Sequence, residues 1–151
     1  MDSNDPRWLS SQQQVTWRAW LRGTAAIQRQ LDADLRRFGL NLAEYEIFVV
    51  LSEAPGRRMR MSDVAEAVSQ SRSRLTHTVS RLESRGLVER SNCAQDGRGI
   101  WAGLTDAGYD ALVSMAPHHV ASVRRVFVDA VDAEDFEAIG RAMSAVLEVA
   151  Q

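Results

Sequence analysis

Hydrogen-bond donors crowd the stretch SRSRLTHTVSRL, residues 71–82, which carries three arginines, one histidine and five hydroxyl side chains. Arginine can donate two parallel hydrogen bonds to guanine O6 and N7, while serine and threonine bond to base edges or phosphates. A merely solvated helix face is usually built from Glu and Lys, and this stretch contains neither. The residue types therefore predict contact with a nucleic acid.

Projected as a helix at 100° per residue, the stretch separates into two faces. Leu75, Val79 and Leu82 fall within about 60° of one another and form an apolar stripe. Ser71 at the N-cap points free backbone N–H groups at a phosphate. Arg72 lies on the other flank and could instead pair with an acid. The polar face centres on three residues and is flanked by three more: Ser73, His77 and Ser80, then Arg74, Thr76 and Arg81.

A second set of candidates follows this helix, in a predicted hairpin of two short strands, LVER and IWAGL. The loop between them carries an Asp-Gly turn signal near its tip, followed by Arg98, which can enter a narrow minor groove. Asp96 is placed to orient the Arg98 guanidinium through paired hydrogen bonds. Further upstream, the arginines at 57, 58 and 60 could touch phosphates or could simply make a loop soluble.

Charge is distributed unevenly along the 151 residues. The net charge is −2 and all 18 basic residues are arginine, but residues 57–98 hold nine arginines against five acids, a local charge of +4 against −6 elsewhere. Such asymmetry is expected when one face meets a polyanion. Cys93, the single cysteine, predicts no internal disulfide and no metal cluster. Without a secretory signal or a stretch long enough to span a bilayer, we expect a cytoplasmic protein.

The elements that must position these residues are mostly helices. A first long helix begins at Ser10 or Ser11 and runs to about Arg37, and a second, apolar almost all round, opens at the capping box formed by Asn41 and Glu44. Ser62 and Asp63 start a short third helix, and a three-residue turn leads to the fourth. Thr105 caps a long fifth helix that runs to Val131 and should be kinked at Pro117; Asp132 caps the sixth.

Helix, three-residue turn, helix and hairpin is the pattern of a winged helix-turn-helix. We therefore predict a mainly α (α+β) fold with six helices and a two-stranded β-wing. Three helices with apolar stripes lie outside the small winged lobe, which cannot cover them all, so they predict an intertwined dimer over a self-contained monomeric bundle. No linker divides the chain, and we expect one domain, 1–151. Its winged lobe would span about 42–104 and its dimerisation region about 8–38 and 105–151.

The run MSDVAEAVSQSRSRLTHTVSRLESRGLVER, the wing CAQDGRG and the following LTDAG resemble the MarR (multiple antibiotic resistance regulator) family, and the similarity covers essentially the whole chain. The resemblance implies a homodimer that binds palindromic double-stranded DNA and usually represses, released by a small, often phenolic or anionic, effector. The matching positions are 71–81 and Arg98. With the start of the third helix included, the candidate DNA contacts are Ser62, Ser71, Arg72, Ser73, Arg74, Thr76, His77, Ser80, Arg81, Asp96 and Arg98.

The sequence also raises the questions of a ligand pocket, a metal site and a function other than DNA binding. Trp17 and Trp20, near Tyr45 and Phe48, could wall an apolar pocket for an aromatic ligand, but core or dimer packing explains them equally well. His118 and His119 are adjacent on a helix, about 100° apart, so we expect no metal site and no cofactor. The chain offers no nucleophile–base pair and no paired acids, which argues against an enzyme. The alternative is a winged-helix module for protein–protein contact, but such a module would expose more apolar surface where the arginines lie.

Overall fold

Helices dominate the computed structural model, which describes residues 7–92 and 99–150. In this part of the chain, six α-helices accompany one small antiparallel sheet, which confirms the predicted winged-helix fold class. None of these helices has the length and apolar content needed to cross a bilayer. The elements in chain order are α1 (Ser11–Arg36), α2 (Leu42–Glu53), β1 (Arg58–Arg60), α3 (Met61–Ala67), α4 (Arg72–Ser84), β2 (Val88–Asn92), β3 (Ile100–Leu104), α5 (Asp106–Val126) and α6 (Ala133–Val149).

Capping boxes fix the starts of α1 and α2; the box of α2 was predicted, and for α1 only a cap at Ser10 or Ser11. The Ser10 hydroxyl accepts from the Gln13 amide at 3.2 Å, and the Gln13 side chain accepts from the Ser10 amide at 2.8 Å. At α2, the Asn41 side chain accepts from the Glu44 amide at 2.9 Å, and the Glu44 carboxylate accepts from the Asn41 amide at 3.0 Å. Each box satisfies two backbone N–H groups that have no partner inside the helix. Thr105 also caps α5 as predicted, by accepting from the Gly108 amide at 3.0 Å.

The predicted start of α3 at Ser62 and Asp63 is wrong by one or two residues. The helix begins at Met61, and its N-cap is Arg60, whose side chain makes no capping hydrogen bond. The reason is that the preceding residues form a strand, so the extended backbone of Arg60 runs straight into the helix. The Ser62 hydroxyl instead donates to the Asp63 carboxylate at 3.0 Å.

The sheet has a third strand beside the predicted hairpin. β2 and β3 pair antiparallel, and β1 adds to the other side of β3, with Arg60 opposite Trp101 and Met59 opposite Ala102. Three residues with a single apolar side chain give no periodic signal, so this strand was not predicted. Its consequence is that the arginines at 58 and 60 belong to the wing.

The core centres on α2 and on the apolar stripe of α4. Ile47, Phe48 and Leu51 are fully buried, and so are the three predicted stripe residues of α4. α5 packs against this core at Gly108, where an added Cβ would collide with the carbonyl oxygen of Leu87. Close packing at that point joins the wing to the start of α5.

The long helices project away from this lobe. α5 continues through Pro117 and ends at Val126, short of the predicted end at Val131, because Phe127 leaves helical backbone geometry and packs against Phe136 of α6 with ring centroids 5.1 Å apart. Between α1 and α5, Asp34 accepts from Ser122 at 2.7 Å and from Arg125 at 2.6 Å. The hydrogen bond from Ser122 is the main cause of a lowered pKa of Asp34, and a hydrogen bond from Gln30 and the charge of Arg125 act in the same direction.

Candidate nucleic-acid interface

The polar face of α4 is presented to solvent. Its apolar stripe is anchored in the core, so the opposite face must point outward, and Ser73, Arg74, Thr76 and His77 are exposed while Ser80 is half-buried. Ser71 caps the helix by accepting from the Arg74 amide at 3.2 Å, as predicted. The structure therefore brings these six predicted residues together on one helix, from its N-cap to its third turn.

A groove of about 400 Å³ joins this face to α3 and the wing. Ser62 of α3, Arg72 and Thr76 of α4, and Ile100 at the loop end of the wing line it. Ser62 and Arg72, which were separate candidates in the sequence, thus lie on the same concave surface. Asp96, Arg98 and Cys93 lie outside the described residues.

Arg81 has a different environment from Arg74. Its guanidinium lies 3.2 Å from Glu44, whose side chain is only 7% exposed, while that of Arg81 is 49% exposed. Glu44 is the same residue that completes the capping box of α2. The ion pair therefore ties α4 to the start of α2. Sequence reasoning assigned Glu44 only a capping role, because the contact joins residues 37 positions apart.

Glu83 holds α4 on its other side. Its carboxylate accepts from the Arg90 backbone amide at 3.0 Å and from the Arg90 guanidinium at 2.6 and 2.9 Å. The side-chain hydrogen bond from Arg90 is the main cause of a lowered pKa of Glu83. Because Arg90 belongs to β2, these bonds set the angle between α4 and the wing.

A polar cleft of about 670 Å³ lies between α1, α2 and α4, and we call it the arginine cleft. Neither amide atom of Gln70 in its wall has a hydrogen-bond partner among the described residues, although both are buried. Arginine guanidinium groups and an orphaned amide suit an anionic or polar guest. The basic side chains that line the cleft are Arg29, Arg36, Arg74, His77 and Arg81, beside the carboxyl groups of Asp32 and Glu46.

The four candidate ligand residues are not brought together within one chain. Trp17 and Trp20 lie on exposed parts of α1, and Trp20 lines an apolar groove between α1 and the end of α5. Tyr45 lines a separate groove of about 720 Å³ and stacks on His119 with ring centroids 4.2 Å apart. Phe48 has no exposed surface and is a core residue. Burial lowers the pKa of His119 and raises that of Tyr45.

Metal binding finds no support in the part of the chain that the structure describes: it holds no group of three or more His, Cys, Asp or Glu side chains that could bind an ion. The His118 ring stacks on Phe38 and the His119 ring on Tyr45, so the two imidazoles face different aromatic partners.

Comparison with known proteins agrees with this geometry. The sequence profile of the MarR family matches residues 38–99. AbsC, a MarR family transcriptional regulator from Streptomyces coelicolor, is 46% identical, with 95% of this chain and 97% of that chain covered and a TM-score of 0.90. Sco3205 from the same organism, a MarR family transcriptional regulator crystallised in complex with DNA, is 39% identical, with 99% and 94% covered and a TM-score of 0.94. YkoM, an HTH-type transcriptional regulator from Bacillus subtilis, is 24% identical over 112 residues, 74% of this chain and 71% of its own. The chain belongs to the MarR family of transcriptional regulators.

Proposed function

We propose that the protein is a sequence-specific regulator that binds double-stranded DNA as a homodimer on palindromic operators. In this proposal it acts as a repressor and is released by a small ligand. The winged lobe, about 42–104, binds DNA, and the regions of about 8–38 and 105–151 form the dimer. α4 enters the major groove, and the wing, with Asp96 and Arg98 in its loop, reaches the adjacent minor groove. The activity is binding, with no catalysed reaction.

The exposed donor face of α4 is the observation that carries this proposal. Five side chains with hydroxyl, imidazole or guanidinium donors stand on a helix whose other side is locked into the core. Sco3205, similar over 99% of this chain, was crystallised with DNA, which supports the same use of the surface here. A protein-docking surface would instead present large apolar side chains at its centre.

Exposed apolar side chains on the long helices support the dimer. α6 has no buried residue in the single chain, and a soluble protein rarely leaves such an apolar stripe uncovered. Interlocking of the same helices from two chains would cover it with twofold symmetry. The large apolar side chains concerned include Val15, Trp17, Leu21, Val113, Val120, Val146 and Leu147, and Trp8 and Leu9 are exposed just before α1.

The arginine cleft supports release by a small anionic ligand. Arg74 and His77 belong both to the cleft wall and to the exposed face of α4, so a guest there would compete with DNA for the same donors. The groove beside Tyr45 and His119 offers aromatic surface for a ring next to the cleft, since Gln28 and Glu46 line both. A small aromatic acid is the chemistry that fits the two together.

Selection of bound duplexes from a random pool is the test. Wild-type protein should enrich a palindrome with half-sites about 10 bp apart, centre to centre. Arg74→Ala should weaken binding to that duplex by about 1–3 kcal/mol, as should Arg98→Ala in the wing, and each should lower the salt dependence if the lost contact is to phosphate. Arg141→Ala is the matched control, because this exposed arginine of α6 lies outside the winged lobe. Enrichment of no sequence, or equal binding by all variants, would refute the assignment.

A further inference from the structure

Two arginines and a tryptophan form a stacked ridge on the outer face of the wing sheet. In the register of β1 and β3, Arg60 lies opposite Trp101. Arg58 is two residues away on the same strand, so it points to the same face. The guanidinium carbons of Arg58 and Arg60 lie 5.1 and 5.8 Å from the centroid of the Trp101 ring. We call these three residues the arginine–tryptophan ridge.

The stacking gives the ridge a defined shape. An aromatic face within about 6 Å attracts a guanidinium and fixes its plane, while N–H groups of Arg58 at the edge of the stack can still donate. Arg58 is held further by a hydrogen bond of 3.2 Å from its guanidinium to the Ser91 hydroxyl on β2. Arginines that only kept an edge strand soluble would need neither the ring nor the hydroxyl.

The ridge continues the surface proposed to meet DNA. Arg60 is the N-cap of α3, two residues before Ser62, and it also lines the groove that joins α3, α4 and the loop end of the wing. Ile100 lies on the face of β3 that also carries the buried Ala102, whereas Trp101 and the two arginines lie on the opposite, outer face of the sheet. Arg60, at the junction of β1 and α3, borders both the groove and the ridge. If the wing enters a minor groove, its outer face turns towards DNA beyond the half-site.

We propose that the arginine–tryptophan ridge binds the sugar–phosphate backbone of duplex DNA that flanks the half-site on the outer side of the wing. This inference rests on the proposed DNA-binding function and extends its footprint. Phosphate contact by stacked arginines positions a protein without reading bases. The flanking DNA would therefore raise affinity whatever its sequence.

The test compares two duplexes that carry the same selected palindrome. The short duplex ends at the outer edges of the half-sites, and the long duplex adds about one helical turn of unrelated sequence at each end, roughly 10 bp. Wild-type protein should bind the long duplex more tightly. Arg58→Ala should lose that gain, on the order of 8-fold for each half-site in 0.1 M salt, and should lower the salt slope by about 0.9 for each lost phosphate.

Arg57→Ala is the matched control, since it removes the same charge from the adjacent residue. The Arg57 guanidinium stacks on the Tyr109 ring of α5 at 3.6 Å and pairs with Asp106 at 3.2 Å, away from Trp101. It should keep the gain from the long duplex. Arg58→Lys retains the charge without the planar stack and should recover only part of the gain. Circular dichroism melting of each variant checks the fold, and duplexes are compared below the melting temperature of Arg57→Ala, which loses its contacts with Tyr109 and Asp106.

Three outcomes would overturn the inference. Equal affinity of the wild-type protein for both duplexes would refute the contact between the ridge and flanking DNA and would leave the proposed function standing. Equal losses in Arg57→Ala and Arg58→Ala would show a general charge effect with no ridge contact. Failure of the wild-type protein to bind any selected duplex would refute the proposed function itself, and the ridge with it.

Discussion

Replacing Arg81 by alanine should cost stability as well as DNA affinity, because the Arg81 guanidinium is the partner of a buried carboxylate. Breaking a fully buried pair costs about 3–5 kcal/mol, and an exposed pair contributes about 0.2–1 kcal/mol. The Glu44 side chain is 7% exposed and that of Arg81 49%. Glu44 also keeps its hydrogen bond from the Asn41 amide. We therefore expect Arg81→Ala to lower the free energy of unfolding by about 1–2 kcal/mol, between these limits.

A double-mutant cycle with Glu44→Gln isolates the ion pair. Glutamine removes the charge of Glu44 but retains a side-chain oxygen that can accept from the Asn41 amide, so the cap of α2 survives. In that background Arg81→Ala should cost close to nothing, giving a coupling energy of about 1–2 kcal/mol. The assay is urea unfolding followed by circular dichroism at one fixed protein concentration, since dimerisation would make stability depend on concentration.

Arg74→Ala is the matched control on the same helix. Arg74 is exposed on α4 and lines the same cleft, and its loss should change the free energy of unfolding by less than about 0.5 kcal/mol. If Arg81→Ala cost as much with Gln at position 44 as with Glu, the pair would contribute nothing and our account of how α4 is held would be wrong. A cost of Arg81→Ala no larger than that of Arg74→Ala would have the same meaning.

Two further substitutions test the packing around the wing. Gly108→Ala should destabilise the protein by about 3 kcal/mol or more in thermal unfolding, because its Cβ would collide with the Leu87 carbonyl; Gly140→Ala, with open space around it, is the control and should be neutral or stabilising. Glu83→Gln should reduce stability at pH 7. Since Arg90 lowers the Glu83 pKa below its usual 4.5, that contribution is present above pH 4.5 and is lost as the pH falls through the lower folded value. Urea unfolding should thus show the variant and the wild type converging at low pH; a constant difference between them, or an unaffected Gly108→Ala, would contradict these contacts.

Local signals explain how much of this fold could be predicted from the sequence. Asn41 with Glu44, and Ser71 before an apolar stripe, are patterns complete within a few residues, and the structure confirms both caps. The stripe of α4 fixed which of its faces would be exposed. The start of α3 was predicted wrongly because serine at position 62 is a residue type that commonly caps helices. The short strand before it has no periodic pattern in the sequence, and in the structure the helix follows that strand directly and begins at Met61.

Contacts between distant elements could not be predicted in this way. Projection of α4 makes Arg74 and Arg81 equivalent, since both lie on one flank of the same helix. What separates them is Glu44, which comes close only after α2 packs behind α4. The stacking of Arg58 on Trp101 likewise depends on a strand pairing across more than 40 residues. Arginine in a sequence indicates a donor, but its partner is decided by the fold.

Two ion pairs with neighbouring elements divide α4 into a held part and a reading part. Glu44 on α2 and Arg90 on β2 bond to Arg81 and Glu83, both in the C-terminal half of the helix. The N-terminal half carries the exposed donors and is anchored mainly by the apolar stripe and the Ser71 cap. Substitutions in the held part should therefore change stability and affinity together, because they alter how the helix is set against α2 and the wing. Substitutions in the reading part should change DNA affinity and leave the free energy of unfolding unchanged. Measuring both quantities therefore distinguishes residues that contact DNA from residues that fix the orientation of the helix.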